Sequence, residues 1–147
     1  MIDDGISSGS LEITVRMLSG NPVEAPAVRL TAPISPWGGI DPDTGAVCDV
    51  GHPEDGAALA GRVVFMPGLK GSTAGPGALL ELFAAGRGPV AFVTPAPEAS
   101  LIAAVSAAAL LPVPRPFLAV LANWSDAPPS DVTCRMIDTD SVLGTGD

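Results

Sequence analysis

Arg62-Val63-Val64-Phe65-Met66 runs directly into Pro67-Gly68-Leu69-Lys70-Gly71-Ser72-Thr73-Ala74-Gly75-Pro76-Gly77, and this junction decides the architecture. The first five residues are mainly β-branched or aromatic and read as a buried strand. The glycines then let the backbone turn sharply. Ala78 to Ala85 follows with Leu79, Leu80, Leu82 and Phe83 at helical spacing, and Gly86 stands where a left-handed C-terminal cap belongs. Strand, glycine-rich loop and helix therefore succeed one another. The pattern repeats downstream: Pro89 to Val93 reads as a strand, Glu98 to Leu111 as an Ala-rich helix, and Phe117 to Leu121 as a further strand. Upstream, Leu11 to Leu18 alternates apolar and polar side chains through Ile13, Val15 and Met17, the period of a half-buried strand. Ala27 to Leu30 is a second strand, Pro33 to Gly45 a long ordered loop, Val132 to Ile137 a last strand, and Ser141 to Asp147 a frayed tail. Strands first and β-α alternation later predict an α/β domain of layered sheets and helices.

The 147 residues are the length of one domain, with a core expected over about residues 11 to 137. At 47% hydrophobic and 16% charged, the chain is less charged than the usual soluble average of about 25%. Part of that apolar surface is expected to face a partner. The net charge of -9, with basic residues scattered singly, argues against nucleic acid, and the absence of Tyr removes a common stacking platform. Met1-Ile2-Asp3-Asp4 is unlike the positively charged start of a secretory signal. The longest apolar tract, Leu101 to Leu111, is broken by Ser106 and closed by Pro112 and Pro114, well short of the ~20 residues that span a bilayer. No membrane association and a cytoplasmic location are expected, with Cys48 and Cys134 as free, buried thiols.

The Gly68 to Gly77 loop suits an anion or carboxylate, because glycines admit a ligand close to the backbone and the following helix offers unpaired N–H groups. On spacing alone, a simple helix cap by Ser72 or Thr73 is the favoured reading. A phosphate-binding P-loop requires Gly-Lys before Ser or Thr, and the order Lys70-Gly71-Ser72 fails it. A hydrolase nucleophile elbow requires Gly two residues either side of the Ser, where Lys70 and Ala74 stand. The run from Asp41 through Asp43 to Gly45 lacks the Glu of a calcium loop, having His52 at the twelfth position, and reads as a turn. His52 is the sole histidine. It reads as structural or solvent-facing, and with two distant cysteines it cannot form a metal or cluster site within this chain.

Ile34-Ser35-Pro36-Trp37-Gly38-Gly39-Ile40-Asp41-Pro42-Asp43-Thr44-Gly45 resembles the signature of the aconitase X swivelling domain, a Ser, an aromatic and Gly-Gly-Val-Asp-Pro-x-Thr-Gly. Pro67 to Thr73 resembles that family's Gly-Ser loop, and Gly88-Pro89-Val90-Ala91 resembles the strand after the following helix. The resemblance covers about residues 11 to 137. It implies a swivelling β/β/α fold like the aconitase C-terminal domain, with the two signature segments packed side by side.

The resemblance further implies that Ser72 is the base that removes a proton from the carbon next to a carboxylate. Gly71, Thr73, Gly38, Gly39 and Lys70 are the matching candidates for substrate binding. Lys70 either supplies positive charge or is a solvated loop lysine. Where aconitase itself places an Arg two residues after the Ser, this chain has Ala74, as is typical of the aconitase X branch. Pro76 also departs from many relatives, which bears on the loop shape. An iron or iron–sulfur centre is implied in a large partner subunit, with no cofactor in this chain. The implied reaction is dehydration of a hydroxy acid, cis-3-hydroxy-L-proline or 5-phosphomevalonate, the first slightly favoured by the bacterial look of an Ala-, Gly- and Pro-rich chain. The rival readings are a phosphohistidine-type swivelling carrier, which needs a loop histidine that is absent, and a non-catalytic assembly module.

Overall fold

The computed structural model describes residues 10–71 and 75–138. Ser72, Thr73 and Ala74, and the tail read as frayed, lie outside the described residues. In chain order the elements are β1 (Leu11–Ser19), β2 (Glu24–Arg29), α1 (Pro36–Gly39), β3 (Val63–Phe65), α2 (Gly75–Ala84), β4 (Ala91–Thr94), α3 (Ala99–Ala108), β5 (Phe117–Val120) and β6 (Thr133–Asp138). The six strands close into a barrel in the order β1-β5-β4-β3-β2-β6, with β6 pairing back onto β1. β2, β3, β4 and β5 are mutually parallel, in register through Ala27, Val63, Ala91 and Phe117. The β3-α2-β4 and β4-α3-β5 crossovers are the two strand-helix-strand units of the sequence.

The side-chain period of a strand sorts the core into two layers. Val63 and Phe65 of β3, Ala91 and Val93 of β4, and Phe117 and Ala119 of β5 point into the barrel, where they meet Ile13, Val15, Cys134 and Met136. Val64, Phe92 and Leu118 point outward onto Leu79, Leu82 and Phe83 of α2 and Leu101, Ala104, Val105 and Ala108 of α3. Burial on both faces explains why β3, β4 and β5 read as unbroken apolar runs. The result is the expected β/β/α layering, with the two β layers joined at their margins. Phe83 and Phe92 seal the helix-sheet contact with ring centroids 6.5 Å apart.

Candidate functional site

β3 delivers the chain to the loop, and the signature segment meets it there. Ile34 forms a parallel bridge with Leu69. Lys70 N–H donates to the Ile34 carbonyl at 3.0 Å, and Ile34 N–H to the Gly68 carbonyl at 3.3 Å. Gly71 has φ +109, and a Cβ placed on it would stand 2.5 Å from Ser35 Oγ. That hydroxyl is already committed, donating to the Trp37 carbonyl at 2.8 Å. Gly75, at the start of α2, lies against Pro36, with 3.7 Å between a Cβ built there and the Pro36 ring. The two motifs therefore pack side by side over the described residues, as their resemblance implied.

Pro36 divides the site into two hollows. On the loop side, a cavity of about 70 Å³ is lined by Leu69, Lys70, Gly71, Gly75, Glu98 and Ser100 together with Pro36. On the other side, a groove of about 690 Å³ runs between α1 and α2, past Trp37, Gly38, Asp41, Cys48, Ala78 and Glu81. Trp37 is 66% exposed there. The structure thus brings Lys70 and Gly71 together but sets Gly38 on the far side of Pro36, in the groove. Gly39 is buried, its carbonyl accepting from Cys48 N–H at 2.9 Å. Ser72 and Thr73 are outside the described residues. The Lys70 ammonium is exposed and only loosely held, 3.9 Å from the Asp49 carboxylate.

In the sequence Glu98 stands only as the start of a helix. It occupies the position before α3 but makes no cap to its own helix. Its Oε2 instead accepts the Leu69 N–H at 3.3 Å. A carboxylate on a long side chain where Ser, Thr, Asp or Asn usually caps was the available signal.

His52 is buried, with Nδ1 accepting the Glu54 N–H and Nε2 facing the Ala32 carbonyl, both at 3.0 Å. Glu54 in turn accepts from the Thr31 N–H and hydroxyl. With both ring nitrogens engaged by backbone groups, the imidazole is a structural staple, and no free nitrogen is left for carrying a phosphoryl group.

Both cysteines are free, but only Cys134 is buried; Cys48 is exposed, contrary to the expected burial, because it sits on the wall of the open groove. Burial pushes the Cys134 thiol up to about 11. The Cys48 thiol is also raised, first by lost hydration and then by the carboxylates of Asp41, Asp55 and Asp49. A raised thiol pKa leaves less thiolate at any given pH. Cys48 is therefore expected to react with iodoacetamide more slowly than a cysteine peptide at pH 8, with its rate midpoint displaced to higher pH and moved back by Asp41→Asn. A rate equal to or above the peptide's would contradict this electrostatic account.

Among the described residues no group of three or more His, Cys, Asp or Glu is arranged to hold a metal ion, so the side chains described do not fit an iron centre. No helix among them is long and apolar enough to cross a membrane.

A family model described as the aconitase X swivel domain matches residues 12–127. The phosphomevalonate dehydratase small subunit of Methanothermobacter thermautotrophicus is 35% identical over 83 residues, 56% of this chain and 63% of that one. The match thus spans somewhat under two thirds of that relative's length. The cis-3-hydroxy-L-proline dehydratase of Pseudomonas aeruginosa is 43% identical over 65 residues, 44% of this chain and 11% of that much longer protein. The holo-form crystal structure of Thermococcus kodakaraensis aconitase X superposes with a TM-score of 0.67 at 23% identity, covering 80% of this chain and 86% of that one, a likeness of fold.

Proposed function

Because the chain belongs to the aconitase X swivel domain family, we propose that it is the small subunit of a two-subunit hydro-lyase that dehydrates a hydroxy acid. The single observation that carries this reading is the interlock of Gly71 on Ser35. It sets the residues next to Ser72 against the other family signature, at one end of the barrel. Relatives support a dependent module as well. In one the matched stretch belongs to a named small subunit, and in the other it is 11% of a longer chain.

In this reading Ser72 takes the proton from the carbon beside the substrate carboxylate. A serine alkoxide is costly to form and needs positive potential nearby. α2 begins at Gly75 with no acidic residue in its first turn, so the positive end of its dipole is left available to an anion. Lys70, only weakly held by Asp49, is free to turn toward a carboxylate or phosphate. In this reading an iron or iron–sulfur centre would belong to the large subunit and would supply a Lewis acid for the departing hydroxyl. The candidate substrates are 5-phosphomevalonate and cis-3-hydroxy-L-proline.

The test is reconstitution. The purified chain alone is expected to be folded and inactive toward both substrates, and addition of an aconitase-like large subunit is expected to give turnover on one of them. Turnover by the small chain alone would sink the two-subunit reading. A well-assembled complex inactive on hydroxy acids would favour a non-catalytic assembly module.

A further inference from the structure

The Gly68 to Gly71 backbone is held from two sides. On one side the Ile34 ladder engages Gly68 and Lys70. Between these two residues, Leu69 N–H points the other way, and its acceptor is the Glu98 carboxylate at 3.3 Å. The same oxygen stands so close to Gly68 that a Cβ built there would lie 3.2 Å from it. Glu98 thus touches the loop at two consecutive residues, while leaving the first turn of its own helix without a side-chain cap. It also lines the 70 Å³ cavity together with Lys70 and Gly71. A helix start is a rigid anchor, and an acid there is favoured by the helix dipole.

We infer that Glu98 is a positioning residue, whose carboxylate fixes the Leu69 N–H and thereby the backbone up to Gly71, the residue before Ser72. The inference rests on the reading of Ser72 as the base. Displacing a reacting group by about 1 Å can cost ~10²-fold in rate, so a tether three residues upstream has a large lever. The effect belongs in kcat more than in substrate affinity, since in this reading Glu98 acts through the backbone and not on the substrate.

The experiment compares Glu98→Ala and Glu98→Gln in the assembled complex, with amide hydrogen exchange at Leu69 measured on the chain. Glu98→Ala is expected to speed Leu69 exchange and to lower kcat by ~10-fold or more, with KM changed less than ~2-fold. Glu98→Gln keeps an acceptor oxygen and is expected to recover most of both. Unchanged kcat in Glu98→Ala despite faster Leu69 exchange would overturn the proposal while leaving Ser72 in place. A Glu98→Gln complex as impaired as Glu98→Ala, with Leu69 exchange restored, would overturn it in favour of a direct role for the charge. Near-normal turnover by Ser72→Ala would remove the base itself, and the Leu69 exchange would then report only a structural contact.

Discussion

Replacing Ser72 by Ala in the assembled complex is expected to lower steady-state dehydration by at least ~10²-fold, the usual cost of losing a general base. Folding and subunit association should survive, because the change removes only a hydroxyl. If Ser72 merely caps α2, the same change costs about 1 kcal/mol of stability and little activity. Thr73→Ala serves as the neighbouring control and should do less harm. The measurement is turnover by complexes carrying each variant, with assembly and thermal stability followed in parallel. Near-normal turnover by a well-assembled Ser72→Ala complex would eliminate the proposed mechanism.

Gly45→Ala is expected to be the most damaging single-methyl change in the signature segment. Gly45 has φ +73, and a Cβ on it would lie 2.4 Å from the Arg87 carbonyl oxygen and 3.1 Å from Ala60 Cβ. The first obstacle is backbone and cannot rotate away. Its N–H donates to the Asp41 carbonyl at 2.7 Å and its carbonyl accepts from Leu59 at 3.0 Å, so it cannot retreat without opening the Asp41 turn. Left-handed strain of roughly 1–2 kcal/mol and overpacking of roughly 1–3 kcal/mol combine to a loss of about 2–5 kcal/mol. Gly86 gives the calibration: its φ is +72, but nothing lies within 4 Å of its Cβ position. Gly86→Ala should therefore show the strain alone, about 1–2 kcal/mol. Denaturant unfolding of both variants separates the two terms. Equal losses would mean that the close approach to Arg87 is soft.

Much of the fold was legible because β3, β4 and β5 are buried on both faces and α2 and α3 carry apolar stripes. The errors at the ends of elements have local causes. α2 begins at Gly75, where the reading began at Ala78, because Pro76 is tolerated in a first turn whose N–H groups lack partners anyway. α3 ends at Ala108, short of Leu111, as Leu110 and Leu111 tighten into bonds to residues three back, on the approach to Pro112. β2 begins at Glu24 instead of Ala27, and Pro26 is tolerated there because it is exposed and pairs only with β6.

Barrel closure was beyond the sequence for another reason. The pairing of β1 with β6 joins Leu11 to Cys134, and no local pattern encodes so distant a register. The Gly-rich motifs marked two segments that meet in the structure, but they could not show that Pro36 stands between two hollows, leaving Gly38 in the groove and Lys70 by the loop. The atypical cap at Glu98 is a local signal, but its partner is not legible locally, since Leu69 is 29 positions away.

Closure of β6 onto β1 also governs how this domain can meet another protein. Every described strand has a neighbour on each side, so no described strand is a free edge along its whole length for strand addition. Association must be written in side chains and loops, which grip less indiscriminately than a sheet edge. A domain held in this way can tilt or withdraw as a unit without breaking any of its own ladders. The same closure disfavours edge-to-edge aggregation of a chain with so little charge and so much apolar sequence.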